Sequence, residues 1–273
     1  MKKIILNWKN IILVLLNIIF IITLTISIYK IINWKIYSDK TKTEITTLQE
    51  NIHVEEVRDT KNTEIIEQPE KIPKENPYWD YINMNMINVD FNELKKINQD
   101  VIGWLKVNGT NINYPFVQSK DNIYYLTHSF NKSYNTAGWV FLDYRNNSTN
   151  NQNTIIYAHG RTDKTMFGAL RNILNNNWLN NPNNYIIKIS TEKENSLWQI
   201  FSAYHLPTTN DYLQTTFSGD TEYQIFLEML KNRSSFNFNT NVSSNDNILT
   251  LSTCYNNSDK MVVHAKLIKK ENK

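Results

Sequence analysis

A single cysteine, Cys254, ends the β-type run "NILTLSTC" in this 273-residue chain. A lone cysteine is most often a small buried hydrophobe. This one lies where a strand passes into the turn-forming residues "YNNSD", so its thiol is expected to be reachable. One cysteine excludes an intramolecular disulfide, and the thiol is a candidate nucleophile if a base that stabilises the thiolate lies nearby.

The usual base for such a thiol is histidine, and the chain has five. His53 lies in a charged segment far from the β-type runs. His128 and His264 are expected to be structural, and His205 has either a structural role or a place near a site. His159 ends the run "NTIIYAH" and is followed by the polar turn "GRTDKT". It therefore occupies the same place on its strand as the cysteine does, and we predict that the two form a nucleophile and acid–base pair.

The elements that must position this pair are short β-type runs separated by Asn, Gly, Pro and Ser clusters. Eight runs follow one another: IGWLKV, INYPFVQ, GWVFLDY, NTIIYAH, NYIIKIS, WQIFSAYHL, NILTLSTC and KMVVHAKLI. Helical patterns interrupt them at residues 165–174 and 221–234. Asp90 and Glu93 have capping-box spacing before a short helix predicted at 91–98. Eight short strands at this spacing predict a mainly β domain, a closed barrel or a sandwich, with inserted helices.

The N-terminal part contains an apolar segment at residues 11–29, interrupted by Asn17 and a few hydroxyls. About 20 such residues cross a bilayer core of about 30 Å. No small-residue cleavage pattern follows, which predicts one retained transmembrane anchor at 11–32 after a short N-terminus, 1–10. Residues 33–77 form a predicted spacer, with 39–67 as a solvated helix and a proline-rich end, and 78–273 form the globular domain. Lysines flank both ends of the anchor, so the positive-inside rule leaves its orientation open.

Composition excludes some classes of function. The formal net charge of +3 is small, and no Lys/Arg block concentrates it, so a nucleic-acid partner is not expected. No Cys/His cluster has metal-ligand spacing, so no metal is expected. A hydrophobic content of 41% is enough for a proper core.

Three ordered motifs carry a resemblance to the class B sortases. "TLSTC" matches the TLxTC signature around the nucleophile of that family. "IIYAHGRTDKTMFGAL" resembles the class B segment with the catalytic histidine, and "VIGWLKVNGTNINYPFVQSKDNIYYLTHSFNKSYNTAGWVFLDYRN" is similar to the opening of class B catalytic domains. Over residues 91–268 the resemblance implies a closed eight-stranded sortase-type β-barrel with N-terminal and inserted helices. It also implies no cofactor, a single-pass anchor with a cytoplasmic N-terminus, and a catalytic domain outside a Gram-positive cell.

The resemblance further implies that Cys254 attacks the carbonyl after the threonine of a sorting motif and forms a thioester, while His159 protonates the leaving amine and later deprotonates the acceptor. The family's arginine, on the strand after the nucleophile, is absent, since the position aligned with it holds Lys260 and no arginine follows. Lysine keeps the charge but lacks the planar two-donor fork. Three readings stay open: Lys260 substitutes, Arg161 or Arg233 reaches in from another loop, or the enzyme is slow or inactive.

Other site residues follow from the same resemblance or from their place beside the nucleophile. Ser252 or Thr253 is expected to hydrogen-bond the substrate or the oxyanion, and Tyr204 resembles a tyrosine near class B sites. Asp143, beside Tyr144, is expected to orient a neighbouring loop.

The partners implied are surface proteins with a C-terminal, NPxTN-like sorting signal, a cell-wall precursor or pilin amine as acceptor, and the membrane. Two alternatives stay open. One is a catalytically weak or inactive sortase-fold binding protein, which the missing arginine favours. The other is a different Cys/His enzyme, such as an anchored cysteine peptidase or an L,D-transpeptidase, although the latter is expected to carry an S-H-G-C-type motif that is absent here.

Overall fold

A computed structural model describes residues 8–66, 72, 76–147, 151–254 and 259–273, with Cys254 described by its backbone. The chain divides into two compact units, Met1–Lys40 and Thr41–Lys273. Three predicted features lie outside the described residues, wholly or in part: the start of the N-terminus, most of the proline-rich end of the spacer, and the turn after Cys254.

Helix α1, Trp8–Asn51, contains the predicted anchor. The helix is long and apolar enough to cross a membrane. Polar side chains within the predicted anchor segment bond to the helix itself: Asn17 Nδ2 donates to the Leu13 carbonyl oxygen, and the hydroxyls of Thr25 and Ser27 donate to carbonyls one turn earlier. Such bonds satisfy polar groups that a bilayer core does not hydrate.

The predicted spacer differs from the structure. Helix α1 continues to Asn51, but two short strands follow it, β1 (Val54–Val57) and β2 (Thr63–Ile65), where we expected solvated helix. Leu48 and Ile52 are buried in the main hydrophobic core. The compact unit therefore begins at Thr41 and not at residue 78. The charged runs "VEEV" and "TEI" have little strand character of their own, and they are strands because folded neighbours offer them unpaired backbone.

Short elements lead into the barrel: helix α2 (Tyr78–Ile82), strand β3 (Met86–Val89) and helix α3 (Asn92–Ile97). Strand β1 pairs antiparallel with β3. The α3 helix confirms the predicted short helix, and the Asp90 carboxylate accepts a hydrogen bond from the Asn92 backbone N–H. Glu93 pairs with Lys96, and the helix begins after Phe91, which makes no side-chain cap bond, so the predicted capping box does not form.

Eight strands close the barrel, and all eight coincide with predicted runs. They are β4 (Val101–Val107), β5 (Asn113–Gln118), β6 (Phe141–Leu142), β7 (Asn153–His159), β8 (Ile186–Thr191), β9 (Glu194–Pro207), β10 (Ile248–Cys254) and β11 (Asp259–Asn272). Their order is β10-β7-β6-β5-β4-β8-β9-β11, and pairing of β10 with β11 completes the circle. The β10–β7 and β5–β6 pairs are parallel, and the others are antiparallel. A closed barrel removes the unpaired edges that an open sheet leaves.

Strand β11 is long enough to pair with two different partners along one edge. Its first part, Lys260 to Lys266, pairs with β10. Beyond the end of β10, Lys269 to Glu271 pair with β2. The N-terminal segment is therefore bound to the barrel by backbone hydrogen bonds.

Helices are inserted where the sequence predicts them. Residues 165–174 form a short 3-10 helix, Phe167–Asn172, and residues 221–234 form helix α5, Asp220–Asn232. A further short helix, α4, spans Asn176–Leu179, and 3-10 turns span Tyr124–Leu126 and Pro182–Tyr185. The apolar side of α5 packs with residues of β9, β10 and β11 in a second hydrophobic cluster, separate from the main core. This cluster covers the outer face of the barrel beneath the candidate site.

Candidate functional site

Three neighbouring strands bring the predicted nucleophile, base and cation to one level of the sheet. Cys254 is the register partner of His159 on β7 and of Lys260 on β11. Neighbouring strands lie about 4.8 Å apart. His159 and Lys260 are both half-buried, and they flank the Cys254 backbone on either side. The sequence placed the three residues at strand ends, and the barrel topology makes those ends adjacent.

Alternation along β10 separates the site face from the core face. Ser252 is the register partner of Tyr157 and Val262, and its hydroxyl is 2.9 Å from the Tyr212 hydroxyl. Thr253 is buried and is the register partner of Ala158 and Met261, which belong to the main core. Because successive side chains point to opposite faces, Thr253 points into the barrel. The register therefore favours Ser252 over Thr253 for the predicted contact with substrate.

The imidazole of His159 is oriented by a backbone carbonyl. Its Nε2 is 2.8 Å from the carbonyl oxygen of Leu126, at the end of the 3-10 turn Tyr124–Leu126. A carbonyl can only accept, so Nε2 carries a proton and donates it. Nδ1 is consequently the nitrogen left for proton exchange with a reacting group. A second backbone segment lies close to the ring, since a Cβ added at Gly138 would be 3.1 Å from His159 Cδ2.

Asp143 joins the walls of the site. Its buried carboxylate accepts hydrogen bonds from Asn122, from the Tyr157 hydroxyl at 2.8 Å and from Arg145 through Nε and Nη2. Burial alone would raise the pKa of Asp143, but the bonds from Arg145 outweigh burial and hold the pKa below its ordinary value. Arg145 also donates to the carbonyl of Leu213 in the β9–α5 connection. The structure thus agrees with the expected loop-orienting role of Asp143.

A chain of buried hydrogen bonds begins at Thr250, four residues before Cys254 on β10 and on the same face of the strand. Thr250 donates to Asn153 Oδ1 at 2.7 Å, so its oxygen accepts from Nδ1–H of His264 at 2.9 Å. The other ring nitrogen of His264 must then accept from the Tyr204 hydroxyl, at 2.8 Å. Tyr204 is 2% exposed. Its hydroxyl is occupied by this network, which disfavours the predicted direct contact with substrate. His264 is structural, as expected.

The two arginines proposed as replacement donors each form an ion pair with an aspartate. The Arg161 guanidinium is bound to Asp163 and Thr165 in its own turn. The Arg233 guanidinium makes a two-point pair with Asp211, with contacts of 2.9 and 2.6 Å. Lys260 is therefore the cation that the strand register brings to the nucleophile's level.

An open cleft of about 360 Å³ begins next to this cation. Leu206, the β9 register partner of Lys260, is one of its walls. The others are Tyr204, His205, Pro207, Thr208, Thr209, Asp211 and Arg233. His205 lies at the surface of the cleft, where partial loss of solvent around its ring and the charge of Arg171 lower its pKa. His128 stacks on Tyr124, with ring centroids 4.0 Å apart, close to the turn that supports His159.

The arrangement is suited to covalent acyl transfer. Cys254 lies beside His159, whose Nε2 carries the proton, and beside Lys260, a cation that can stabilise a developing oxyanion. In the part of the chain that the structure describes, no group of three His, Cys, Asp or Glu side chains is arranged to hold a metal ion.

Several contributors have no signature in the sequence. The Leu126 carbonyl and the Gly138 backbone act through main-chain atoms that any residue carries. Tyr157 and Tyr212 were missed as well. Tyr157 lies two residues before His159, so strand alternation could have placed it on the site face.

Comparisons with known proteins agree with this geometry. A model of the sortase domain matches residues 105–268. Sortase B of Staphylococcus aureus is 40% identical over 184 residues, which cover 66% of this chain and 75% of that protein. Sortase B of Listeria monocytogenes is 37% identical over 190 residues, with the same coverage of both chains. Among solved structures, the Staphylococcus aureus sortase B–substrate complex is similar with a TM-score of 0.61 and 39% identity, over 66% of this chain and 84% of that one. Clostridium perfringens sortase B is similar with a TM-score of 0.62 and 36% identity, over 66% of this chain and 100% of that one.

Proposed function

This chain belongs to the sortase family and is a class B sortase, a cysteine transpeptidase, and on that premise we propose that Cys254, His159 and Lys260 carry out its reaction. The observation that supports the assignment is the shared register position of the three residues on β7, β10 and β11. Rigid strands are suited to a site that must be organised before substrate binds.

In the proposed acylation step, the thiolate of Cys254 attacks the carbonyl carbon of the threonine in a sorting motif. The carbonyl oxygen becomes an oxyanion, which the Lys260 ammonium stabilises. The tetrahedral intermediate collapses, the carbon–nitrogen bond breaks, and the imidazolium of His159 gives its proton to the leaving amine. A thioester remains on Cys254. Nε2–H donates a hydrogen bond to the Leu126 carbonyl and keeps its proton, so the proton that His159 transfers is the one on Nδ1.

In the second step an acceptor amine attacks the thioester carbon. His159 takes a proton from the amine, the carbon–sulfur bond breaks, and an amide links the two partners while the thiolate is restored. A solved relative is a sortase B complexed with triglycine, and another is a sortase B–substrate complex. These relatives support a substrate and a glycine-type amine acceptor in general, and the resemblance to class B sortases adds the NPxTN-like C-terminal signal and the cell-wall or pilin amine.

We place the enzyme at the membrane, with α1 as a single-pass anchor, its N-terminus cytoplasmic and the barrel outside the cell. The apolar character and length of α1 support the anchor. The orientation follows from the site of action of sortases, since the flanking lysines do not decide it.

The test uses the full chain in detergent, incubated with peptides that carry NPxTN-like and related motifs, with and without triglycine, and analysed by mass spectrometry. We expect cleavage after threonine, ligation to triglycine and an acyl-enzyme that disappears in Cys254→Ala. His159→Ala should also abolish turnover, whereas Thr253→Ser should retain it. Absence of cleavage and of acyl-enzyme across the panel would support the alternative of a sortase-fold binding protein.

A further inference from the structure

One loop begins and ends at residues that approach the imidazole of His159. It consists of residues 127–138 and is called here the histidine-support loop. Immediately before it, the Leu126 carbonyl accepts a hydrogen bond from Nε2–H of His159. At its end, Gly138 packs its backbone close to Cδ2 of the same ring, with φ +61° and the Tyr125 and Leu126 carbonyls nearby. The position of the ring therefore depends on how firmly this loop is held.

Asn135 holds the loop together. Its backbone N–H donates to the Thr127 carbonyl, and its own carbonyl accepts from Gly138 N–H, both at 2.9 Å. Its side-chain oxygen accepts from Ala137 N–H, also at 2.9 Å. Both ends of the histidine-support loop are thus fixed relative to one buried residue, which is 3% exposed.

The remaining group of Asn135 reaches a different part of the chain. Its side-chain N–H donates to the hydroxyl of Thr41 on α1 at 2.9 Å, and Thr41 is fully buried. One turn further along α1, the Glu44 carboxylate accepts from the Asn131 backbone N–H at 2.9 Å. Burial raises the pKa of Glu44, and the bond from Asn131 opposes that rise. Helix α1 therefore contacts the loop at two points, one of them a buried side-chain pair.

We propose that Thr41, through Asn135, is a positioning residue for His159, so that the C-terminal part of α1 completes the active site. This rests on the proposed function of His159. Thr41 and the predicted anchor belong to the same helix, α1. A catalytic domain cut at residue 78 lacks Thr41 and Glu44, and its histidine-support loop loses both contacts with α1 while it keeps those with the barrel, such as the bond from Asn98 to the Phe130 carbonyl.

The test compares Thr41→Val with Thr41→Ser and with Thr46→Val in the full chain in detergent. Thr41→Val removes the hydroxyl at almost constant volume, and Thr41→Ser retains it. Thr46→Val makes the same change at an exposed position of α1 and is the matched control. Cys254 is the only cysteine, so the rate of alkylation by iodoacetamide reports on that thiol alone and needs no substrate.

We expect Thr41→Val to lower kcat by about tenfold with KM nearly constant, because misplacing a catalytic group is costly while substrate contacts are untouched. Its alkylation pH profile should move toward that of His159→Ala, and amide hydrogen exchange should accelerate in residues 127–139. Thr41→Ser and Thr46→Val should match the parent chain. If Thr41→Val folds poorly, Thr41→Ala removes the same hydroxyl and serves in its place.

Equal alkylation profiles, kcat and exchange for Thr41→Val and Thr46→Val would overturn the inference, and so would a Thr41→Ser variant as impaired as Thr41→Val. The outcome is separable from that of the proposed function. If the parent chain cleaves no peptide, the proposed function fails, whereas the alkylation and exchange measurements still decide whether Thr41 supports the loop around His159.

Discussion

Acidification from pH 8 to pH 5 should destabilise the barrel through His264, a buried residue outside the proposed catalytic set. Burial lowers the pKa of His264 to about 3, and the positive charge of Arg233 acts in the same direction. The hydrogen-bond chain provides no place for a second proton, because Tyr204 donates to one ring nitrogen while the other donates to Thr250. The folded protein therefore keeps this histidine neutral.

The sign and size follow from proton linkage. An unfolded histidine has a pKa of about 6.5. Below that pH the unfolded chain binds a proton that the folded chain does not bind, so the free energy of unfolding decreases as the pH is lowered. This contribution is complete above about pH 6.5 and declines until the folded pKa is reached. At pH 5 the loss is about 1.5 pH units at about 1.36 kcal/mol each, or about 2 kcal/mol. For a domain of this size that lowers Tm by about 4–8 °C.

The assay is urea unfolding of the full chain in detergent at pH 8 and pH 5, followed by tryptophan fluorescence. His264→Gln removes the titrating group, so its loss of stability between the two pH values should be about 2 kcal/mol smaller than that of the parent. His53→Gln, at an exposed position, is the control and should leave the pH dependence unchanged. A His264→Gln chain whose loss equals the parent's would refute the reasoning.

Three further predictions concern the other buried or charged groups. Lys260→Met should lower kcat by about 10²-fold in the peptide assay, while Lys260→Arg should at least match the parent, because a preorganised donor acts on the oxyanion; an unimpaired methionine variant would contradict the assignment. Asp143→Asn should reduce the free energy of unfolding in urea by about 1–2 kcal/mol, because it replaces charge-assisted bonds from Arg145, whose side chain is 38% exposed, by neutral ones. The parent's contribution from Asp143 is present above pH 3.8 and disappears as pH falls through its lower folded pKa. Lys269→Met should accelerate hydrogen exchange in residues 59–66, since the buried ammonium donates to Asp59 and to the Ile82 carbonyl; unchanged exchange there would show that β2 is held by backbone pairing alone.

The sequence predicts the barrel well because strand periodicity and turn residues are local signals. The eight runs correspond to eight strands, and their ends place Cys254 and His159 at equivalent positions. Its neighbourhood to Cys254 makes Thr253 a candidate for the site, whereas alternation along β10 favours Ser252. Adjacency in sequence is a poor guide to the face of a strand, whereas a spacing of two residues is a reliable one.

The N-terminal contribution could not be predicted, because it depends on tertiary partners. "VEEV" and "TEI" are short and charged, and they pair because β3 and the end of β11 expose unpaired backbone. Thr41 looks like any helical threonine in the sequence, and its burial against Asn135 becomes visible only when the loop that precedes β6 is in place. The Leu126 carbonyl is a main-chain group and has no sequence signature.

The register between β10 and β11 places Lys260 opposite the nucleophile. The antiparallel ladder from Ile248 with Lys266 to Cys254 with Lys260 sets the partner of the nucleophile by counting along paired strands. Whatever residue stands at 260 is brought to that level by the ladder. A substitution of Lys260 by Arg therefore changes donor number and planarity while the backbone position stays the same. The ratio of kcat for Lys260→Arg to kcat for the parent chain measures what the second donor of an arginine contributes to oxyanion stabilisation in this barrel.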